Sequence, residues 1–280
     1  MNNTILKIHK LTTLFFVAIM PTILWAKTDS SSLSNDNLKT TGHRAFRAGE
    51  ELRFNVKYGF VKGGEGHFYV RDTTINGRRV EHVTVSGRTT GLADAVFEVR
   101  DTYESYMDME TQFPLLSTRS IKEGKYRYFD RTTYDNLEGT VSIHKETRRG
   151  DKDTTEFVGR NMLDIVSAFY FARNNSFNSS MSVGDTICFN TYFGGQIFPL
   201  RIRYQGTERV KTKMGKILCY KFSPVTEVGR TFKSNDDMHL WITADDNRIP
   251  VKIEFKMLVG AFSCELASCK GLAHEASYAD

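Results

Sequence analysis

Long apolar runs are missing from this chain after its first 26 residues, and so is a strong excess of either charge. A transmembrane helix needs about 20 consecutive apolar residues, so the sequence predicts no membrane span in the mature chain. The formal net charge is +5, and it falls to +3 when Lys7 and Lys10 are removed with the N-terminus. Because this charge is small and evenly spread, we expect no nucleic-acid partner.

Cysteine is also sparse, and its spacing limits which bridges can form. The chain has four, Cys188, Cys219, Cys264 and Cys269, and an even number suits disulfides in an exported protein. In a meander, Cys188 and Cys219 lie about two strand spacings apart, roughly 10 Å, which exceeds the roughly 7 Å limit for bridged Cα atoms. We therefore expect both to be buried thiols. Cys264 and Cys269 are near enough to bridge if the chain bends between them, so a bridge and two free thiols both stay open.

What the N-terminus does contain is the three-part pattern of a secretory signal peptide. A start with two lysines and no acid precedes the apolar stretch LTTLFFVAIMPTILWA, and the small residue Ala26 precedes Lys27. A transmembrane anchor is the rival interpretation, but threonines and Pro21 interrupt the stretch. We expect cleavage after Ala26 and a periplasmic protein, and no cysteine lies near this site to carry a lipid anchor.

The remaining chain divides by composition into three parts. Residues 27–45 are polar and without periodicity, which predicts a disordered lead-in. Residues 46–270 are predicted to form a single β-rich domain, and residues 271–280 a flexible tail. The stretch LRFNVKY alternates apolar and polar residues, as a strand with one buried face does. Asn76–Gly77 predicts a hairpin, because both residues accept positive φ, and VKGGEG is interpreted as a glycine turn.

The same alternation recurs to the end of the chain, with two exceptions. GLADAV (91–96) is predicted to be a short helical turn. The segment 161–173 has apolar residues at i, i+3, i+4 and i+7, which predicts an amphipathic helix with Asn161 as its N-cap, Asp164 in the first turn and Arg173 in the last. The predicted fold is therefore mostly β: a large curved antiparallel sheet, or half-barrel meander, with one main helix packed on its concave face.

Aromatic residues make up 12% of the chain, and many occupy alternating strand positions. A sheet of about a dozen strands cannot cover such a face with one helix unless it curls, and a curled sheet can enclose an apolar cavity. The alternative is that these side chains only fill the core. If the cavity exists, we expect its ligand to contact Phe54, Tyr58, Phe68, Ile165, Phe169, Tyr220, Phe222 and Trp241.

Catalytic and metal-binding patterns are not found in the sequence. Asp245 and Asp246 lie between two strand-like runs, and solvated carboxylates at a turn are not tuned for acid–base catalysis. The six histidines of the mature chain are scattered without metal-ligand spacing. Nucleotide-binding loops and serine-hydrolase or zinc-protease motifs are absent. We therefore predict no catalytic residue, no metal and no cofactor.

Several segments resemble a known family. GEELRFNVKYGFVKGGEG, DIVSAFYFAR, KILCYKFSP and LWITADDNRIPVKIEFKMLVGAFSCEL together resemble domain-of-unknown-function family 3108 of exported bacterial proteins, over about residues 46–268. The family name implies no activity. The layout is also distantly similar to periplasmic lipoprotein carriers of the LolA/LolB type, in which a curved sheet shelters acyl chains. That similarity implies a role in handling lipid or other apolar ligands.

Three functional hypotheses follow. The first is a non-enzymatic periplasmic binding or carrier protein for a lipid-like or other apolar ligand, with helix 161–173 as its lid. The second is a structural or assembly protein of the envelope that binds a protein partner through its surface or a sheet edge. The third is a hydrolase of envelope polymers, which requires two carboxylates about 5–9.5 Å apart in a pocket.

Overall fold

The computed structural model describes residues 35–148, 150–225, 238–256 and 261–277. Two helices occur in this part of the chain, α1 (Gly91–Val96) and α2 (Ile165–Asn175). The strands are β1 (Glu51–Tyr58), β2 (Val61–Ile75), β3 (Arg78–Thr89), β4 (Arg100–Asp108), β5 (Pro114–Glu123), β6 (Tyr126–Asp135), β7 (Thr140–Thr147), β8 (Gly150–Phe157), β9 (Thr186–Phe193), β10 (Gln196–Thr212), β11 (Gly215–Pro224), β12 (Met238–Thr243), β13 (Pro250–Lys256) and β14 (Ala261–Lys270).

All fourteen strands belong to one antiparallel sheet, which confirms the predicted fold class. Its order is β8-β7-β6-β5-β4-β3-β2-β1-β14-β13-β12-β11-β10-β9, so two meanders are joined where β1 pairs with β14. The two edge strands, β8 and β9, are consecutive in the chain. The connection between them carries α2, which therefore lies inside the curve of the sheet.

The sheet curls until its two edges approach each other. Tyr192 of β9 donates a hydrogen bond from its hydroxyl to Glu156 of β8 at 2.9 Å. Leu163, just before α2, forms a parallel bridge with Thr191, and the Asn35 side chain pairs with both backbone groups of Asn190. Main-chain and amide groups thus occupy the exposed edge of β9, which would otherwise offer unpaired donors and acceptors.

Local strand chemistry follows the sequence closely in β1 and at the first hairpins. Leu52, Phe54 and Val56 are buried, while the alternate residues face outward. Asn76 and Gly77 have φ values of 50° and 78°, as the predicted hairpin requires. The glycine turn predicted at VKGGEG is wrong, because these residues lie within β2. A Cβ on Gly64 would lie 2.7 Å from the Arg88 carbonyl oxygen, so glycine is needed there for close strand pairing.

The main helix exists, but it starts later than the sequence predicted. Asn161 has a φ of 54° and is not the N-cap. Asp164 takes that role, because its side chain accepts hydrogen bonds from the backbone amides of Val166 and Ser167. Ser105 of β4 donates a further hydrogen bond to Asp164 at 2.6 Å. Burial raises the pKa of the Asp164 carboxyl, and these donors oppose that shift.

The C-terminal end of α2 is held by a buried ion pair. Arg173 and Glu50 are both fully buried, and two guanidinium nitrogens bind the two carboxylate oxygens at 2.6 and 2.7 Å. The same guanidinium donates to the Asn247 carbonyl oxygen at 2.8 Å. Arg248 in turn donates to the last carbonyl groups of α2. Nearly every residue of α2 is buried, so it is an internal plug rather than the surface lid that an amphipathic pattern suggests.

The chain segments predicted to be disordered or flexible are held to the rest of the protein at several described positions. Ala45 is fully buried, and its amide binds the Asn174 side chain at 2.9 Å. The backbone amide of His274 donates to the Asn247 side chain, and the His274 carbonyl oxygen accepts from the same side chain. In these segments polar side chains thus satisfy backbone groups, which composition alone does not reveal, and the disordered lead-in and flexible tail stay predictions. Residues 27–34 and 278–280 lie outside the described residues, as does the predicted signal peptide 1–26.

The four cysteines are free thiols. Cys219 is buried as predicted, and burial raises its pKa to about 12. The prediction for Cys188 is wrong: it is exposed, because its position on edge strand β9 faces outward. Cys264 and Cys269 pair with Val56 and Leu52 of β1, so both lie on the extended strand β14 and form no bridge, although the register shifts at Ala267 between them. None of the helices in the described part of the chain is long and apolar enough to cross a membrane.

Replacing Arg173 by alanine is expected to lower the free energy of unfolding by about 3–5 kcal/mol, because Glu50 is left buried without its partner. The double variant Arg173→Met/Glu50→Leu should lose less, since it leaves no isolated charge. Lys62→Ala removes an exposed ion pair with Glu65 and should cost at most about 1 kcal/mol. Urea denaturation of the three variants tests this, and equal losses in Arg173→Ala and Lys62→Ala would contradict it.

Candidate functional site

An apolar cavity of about 70 Å³ lies between α2 and the inner face of the sheet. The helix contributes Ile165, Ala168, Phe169 and Ala172, one face at helical spacing. The opposite wall comes from six further elements of the chain, and all thirteen lining residues are apolar. These wall residues are Phe68, Phe177, Phe189, Leu200, Ile202, Met238, Leu240, Pro250 and Ile253.

The cavity reaches the surface through a ring of half-buried apolar residues. Phe68, Phe169, Ile202, Leu240 and Ile253 each keep part of their side chains exposed. The Phe169 ring lies 6.5 Å from Phe68 and 6.4 Å from Phe177, centroid to centroid. The helix α2 therefore covers the inner face but leaves a small apolar opening beside Phe169.

Three of the eight predicted ligand-binding residues line this cavity: Phe68, Ile165 and Phe169. Tyr220 and Phe222 belong to the same core cluster, where Phe222 packs 4.9 Å from Phe177, but neither forms the cavity wall. Within the described residues they act as core side chains.

The other three predicted residues lie elsewhere. Phe54 packs with Leu52 in a separate buried cluster. Tyr58 is 42% exposed at the end of β1. Trp241 is buried on the outer face of the sheet, where the ammonium groups of Lys221 and Lys252 each lie 5.2 Å from its ring. The structure does not bring Tyr58 or Trp241 to the cavity, because strand alternation and bulges decide which face an aromatic residue occupies.

Sequence reasoning missed most of the cavity wall. Phe177 follows the helix in a polar stretch, and Leu200 and Ile202 lie in β10 beside Arg201 and Arg203. The alternation LRIR does contain the signal, since it places both aliphatic residues on one face. Nothing in the sequence relates that face to α2.

The inner face becomes polar toward the N-terminus of α2. The Arg119 guanidinium lies between the Phe193 and Tyr128 rings, at 4.5 and 4.8 Å from their centroids. It donates to Asp130 at 2.5 Å and to the Tyr128 hydroxyl at 3.0 Å. Burial raises the pKa of Tyr128 to about 12. The space beside this cluster is only about 30 Å³, so it is a closed polar contact between the sheet and the β9–β10 hairpin.

A second polar feature is a pair of buried carboxyl groups, Asp101 and Glu123. They share a hydrogen bond, and the Lys122 amide donates to Asp101 at 3.0 Å. Burial raises the pKa of Asp101 to about 7. A directly hydrogen-bonded pair lacks the separation of about 5–9.5 Å that the hydrolase hypothesis requires.

Asp245 and Asp246 form a turn, as predicted. One Asp245 carboxylate oxygen accepts from the Thr243 hydroxyl and from the backbone amides of Asn247 and Arg248, at 2.5 to 3.1 Å. Through residues 35–148, 150–225, 238–256 and 261–277, no group of His, Cys, Asp or Glu side chains is arranged to hold a metal ion. The expectation that the protein needs no metal or cofactor stays a prediction.

The sequence profile described as "Protein of unknown function (DUF3108)" matches residues 53–267, which is most of the chain. The chain belongs to this family. The match includes most of β1, all of β2 to β13 and most of β14, so the DUF3108 region contains both α2 and all of the cavity wall. No curated protein matches the chain.

A solved structure shares the fold of this DUF3108 protein. It is a beta-barrel-like protein of the domain of unknown function DUF1849 from Brucella abortus, with a TM-score of 0.51 and 5% sequence identity. The match covers 82% of this chain and all of that one. At this identity the likeness concerns the fold alone.

Replacing Asp101 by asparagine is expected to raise stability above pH 7. Its folded-state pKa is about 7 and its ordinary value 3.8, so unfolding becomes easier as pH rises through that interval. Asparagine still accepts from the Lys122 amide and loses this pH dependence. Urea denaturation should give similar stabilities at pH 4 and an advantage for the variant of more than about 1 kcal/mol at pH 8. Parallel pH profiles would refute the assignment.

Proposed function

We propose that this DUF3108 protein is an exported, non-enzymatic binding protein that holds an apolar ligand between α2 and the curved sheet. The observation that supports the proposal is the cavity whose lining is apolar throughout. Close-packed interiors leave few voids larger than a water molecule, and an apolar void of this kind takes up apolar molecules. The similarity to carriers of the LolA/LolB type and the signal-peptide pattern of residues 1–26 agree with this role.

The volume limits what the ligand can insert. At about 70 Å³ the cavity is smaller than most ligand pockets, which measure roughly 300–1,000 Å³. The ligand therefore enters with the end of an acyl chain or another narrow apolar group. Deeper insertion requires Phe169 and Met238 to turn aside. Methionine repacks readily, and Phe169 is half-buried at the opening, so side-chain movement is the expected route while α2 stays anchored at both ends.

Filling the cavity is expected to abolish most of this binding. Ala168 faces the cavity from α2, and Ala168→Leu places three more carbon atoms in it. We expect at least about tenfold weaker binding of a fluorescent fatty acid, measured by titration and by displacement with unlabelled lipid. Ala95→Leu on the exposed face of α1 is the matched control and should bind as the wild type does. A wild-type protein that neither binds the probe nor carries lipid in mass spectra would contradict the proposal.

A second candidate function is that of an assembly partner in the envelope, and one surface favours it. Phe60, in the β1–β2 turn, is fully exposed, and Val61, the first residue of β2, is largely exposed. Leu92 and Val96 are largely exposed on α1. The Thr90 amide donates to the Gly63 carbonyl oxygen at 2.9 Å, so α1 lies beside the start of β2. Exposed apolar residues gathered at one end of a protein are typical of an interaction surface.

Photocrosslinking in cells tests this second function. A photoreactive residue at position 60 or 92 is expected to give one discrete heavier species, the same for both positions. Leu137 is 79% exposed in the β6–β7 turn and is the matched control, which should give no such species. Phe60→Ser/Leu92→Ser should remove an adduct formed from position 96. Identical patterns at positions 60 and 137 would argue against a partner at this surface.

A further inference from the structure

A groove of about 530 Å³ crosses the outer face of the sheet, on the side opposite the apolar cavity. Its walls are two rows of outward side chains that run across four neighbouring strands in register. One row is Asn55, Glu65, Arg88 and Arg100, and the other is Arg53, His67, Ser86 and Thr102. The row between them contains Gly66 and Gly87, which face each other across β2 and β3. Backbone atoms of these two glycines thus form the middle of the floor, between Phe54 and the buried Asp101 in the same row.

The groove continues toward the C-terminal meander. Asn55 also lines a second cavity of about 220 Å³, which includes Trp241, Lys252 and Glu265. These residues pair in register with the first row, from Trp241 on β12 to Arg100 on β4. Seven strands about 4.8 Å apart give a track roughly 29 Å long. A ligand that fills it is an extended chain.

Positive charge exceeds negative charge along this track. Glu51 is shared by Arg53 and Lys270, with the His67 ring nitrogen 3.1 Å away, and Glu65 is shared by Lys62 and Arg88. Hydrogen bonds from these cations, Lys270 and Lys62 foremost, lower the pKa of both carboxyls to about 2.

At the two ends of the track the balance differs. Arg100 binds Asp94 at 2.7 Å and lies 3.6 Å from Glu98, so that end is compensated. The second cavity adds Arg209, Lys211, Lys213 and Lys252 against Glu208 and Glu265. The excess is therefore greatest between Arg53 and the β10–β11 hairpin. Arg53 and Arg88 keep 61% and 60% of their side chains exposed and can reach a ligand.

We propose that this track binds an extended anionic glycan, with Arg53 and Arg88 contacting its acidic groups. The ion pairs, the exposure of both guanidinium groups and the length of the groove agree with such a ligand. Asn55, Ser86, Thr102 and Ser268 offer amide and hydroxyl groups that suit sugar hydroxyls. An acidic peptide is less favoured, because peptides that add to a sheet need a free strand edge, and these strands are paired on both sides.

Titration with polygalacturonate at low salt tests the proposal, with dextran as the neutral probe and poly-L-glutamate as the acidic peptide. The wild type should bind polygalacturonate only, and 0.5 M salt should weaken binding because it screens exposed charges. Arg53→Glu/Arg88→Glu should bind at least about fivefold more weakly. Arg79→Glu is the matched control: its side chain is 75% exposed on the same strand as Arg88 but outside the groove, and it should bind normally.

A neutral variant guards against misfolding of the double variant. Ser86→Tyr adds bulk to the groove without removing an ion pair and should also weaken binding. The glycan site is independent of the proposed apolar site, so Arg53→Glu/Arg88→Glu should still bind the fluorescent fatty acid, and Ala168→Leu should still bind polygalacturonate. Absence of binding in the wild type, equal binding by the double variant, or binding of poly-L-glutamate as tight as that of polygalacturonate would each overturn the proposal.

Discussion

The buried pair of Arg173 and Glu50 joins three separate parts of the described chain. Its guanidinium also donates to the carbonyl oxygens of Ala45 and Asn247, so it connects α2 with the segment before β1 and the β12–β13 turn. Asn247 extends the connection to the C-terminal segment through His274. A buried charge is costly unless it is paired and hydrogen-bonded. Here separate parts of the chain supply acceptors to both terminal guanidinium nitrogens of Arg173, and only its Nε has no partner. The pair therefore anchors the C-terminal end of α2, the helix that supplies one wall of the apolar cavity.

The two faces of the sheet carry different chemistry, and strand alternation is the reason. Inward positions near α2 are aliphatic and aromatic, whereas outward positions of β1 to β4 are dominated by Arg, Glu, Ser and Thr. A ligand in the apolar cavity therefore leaves water for an apolar environment, whereas a ligand in the outer groove contacts paired charges that stay solvated. The two proposed sites can act independently because the backbone of the sheet separates them.

Much of the fold could be predicted because apolar alternation is strong in β1, β12 and β13 and turn residues such as Asn76–Gly77 are unambiguous. The strand β8 carries almost no apolar alternation, since GDKDTTEF has one apolar residue and lies at an edge with little to bury. The helix start was misplaced because Asn161 and Asp164 are both acceptable caps, and only the left-handed backbone of Asn161 separates them. For the site, period-2 and period-3.6 patterns assign a face to Phe68, Ile165 and Phe169. They cannot show that Trp241 lies on the other face or that Met238 completes the wall, because both depend on bulges and long-range register.

The junction of the two meanders has a consequence for how the chain reaches this fold. β1 is synthesised before the other thirteen strands of the described sheet, and its partner β14 after them. Until β14 is synthesised, one edge of β1 has no partner strand, and the two meanders are not hydrogen-bonded to each other through β1 and β14. Contacts between such distant parts of a sequence make folding slow. The unpaired edge of β1 is thus where an incomplete chain is most open to wrong strand pairing. A chaperone that prevents such pairing would bind at this edge.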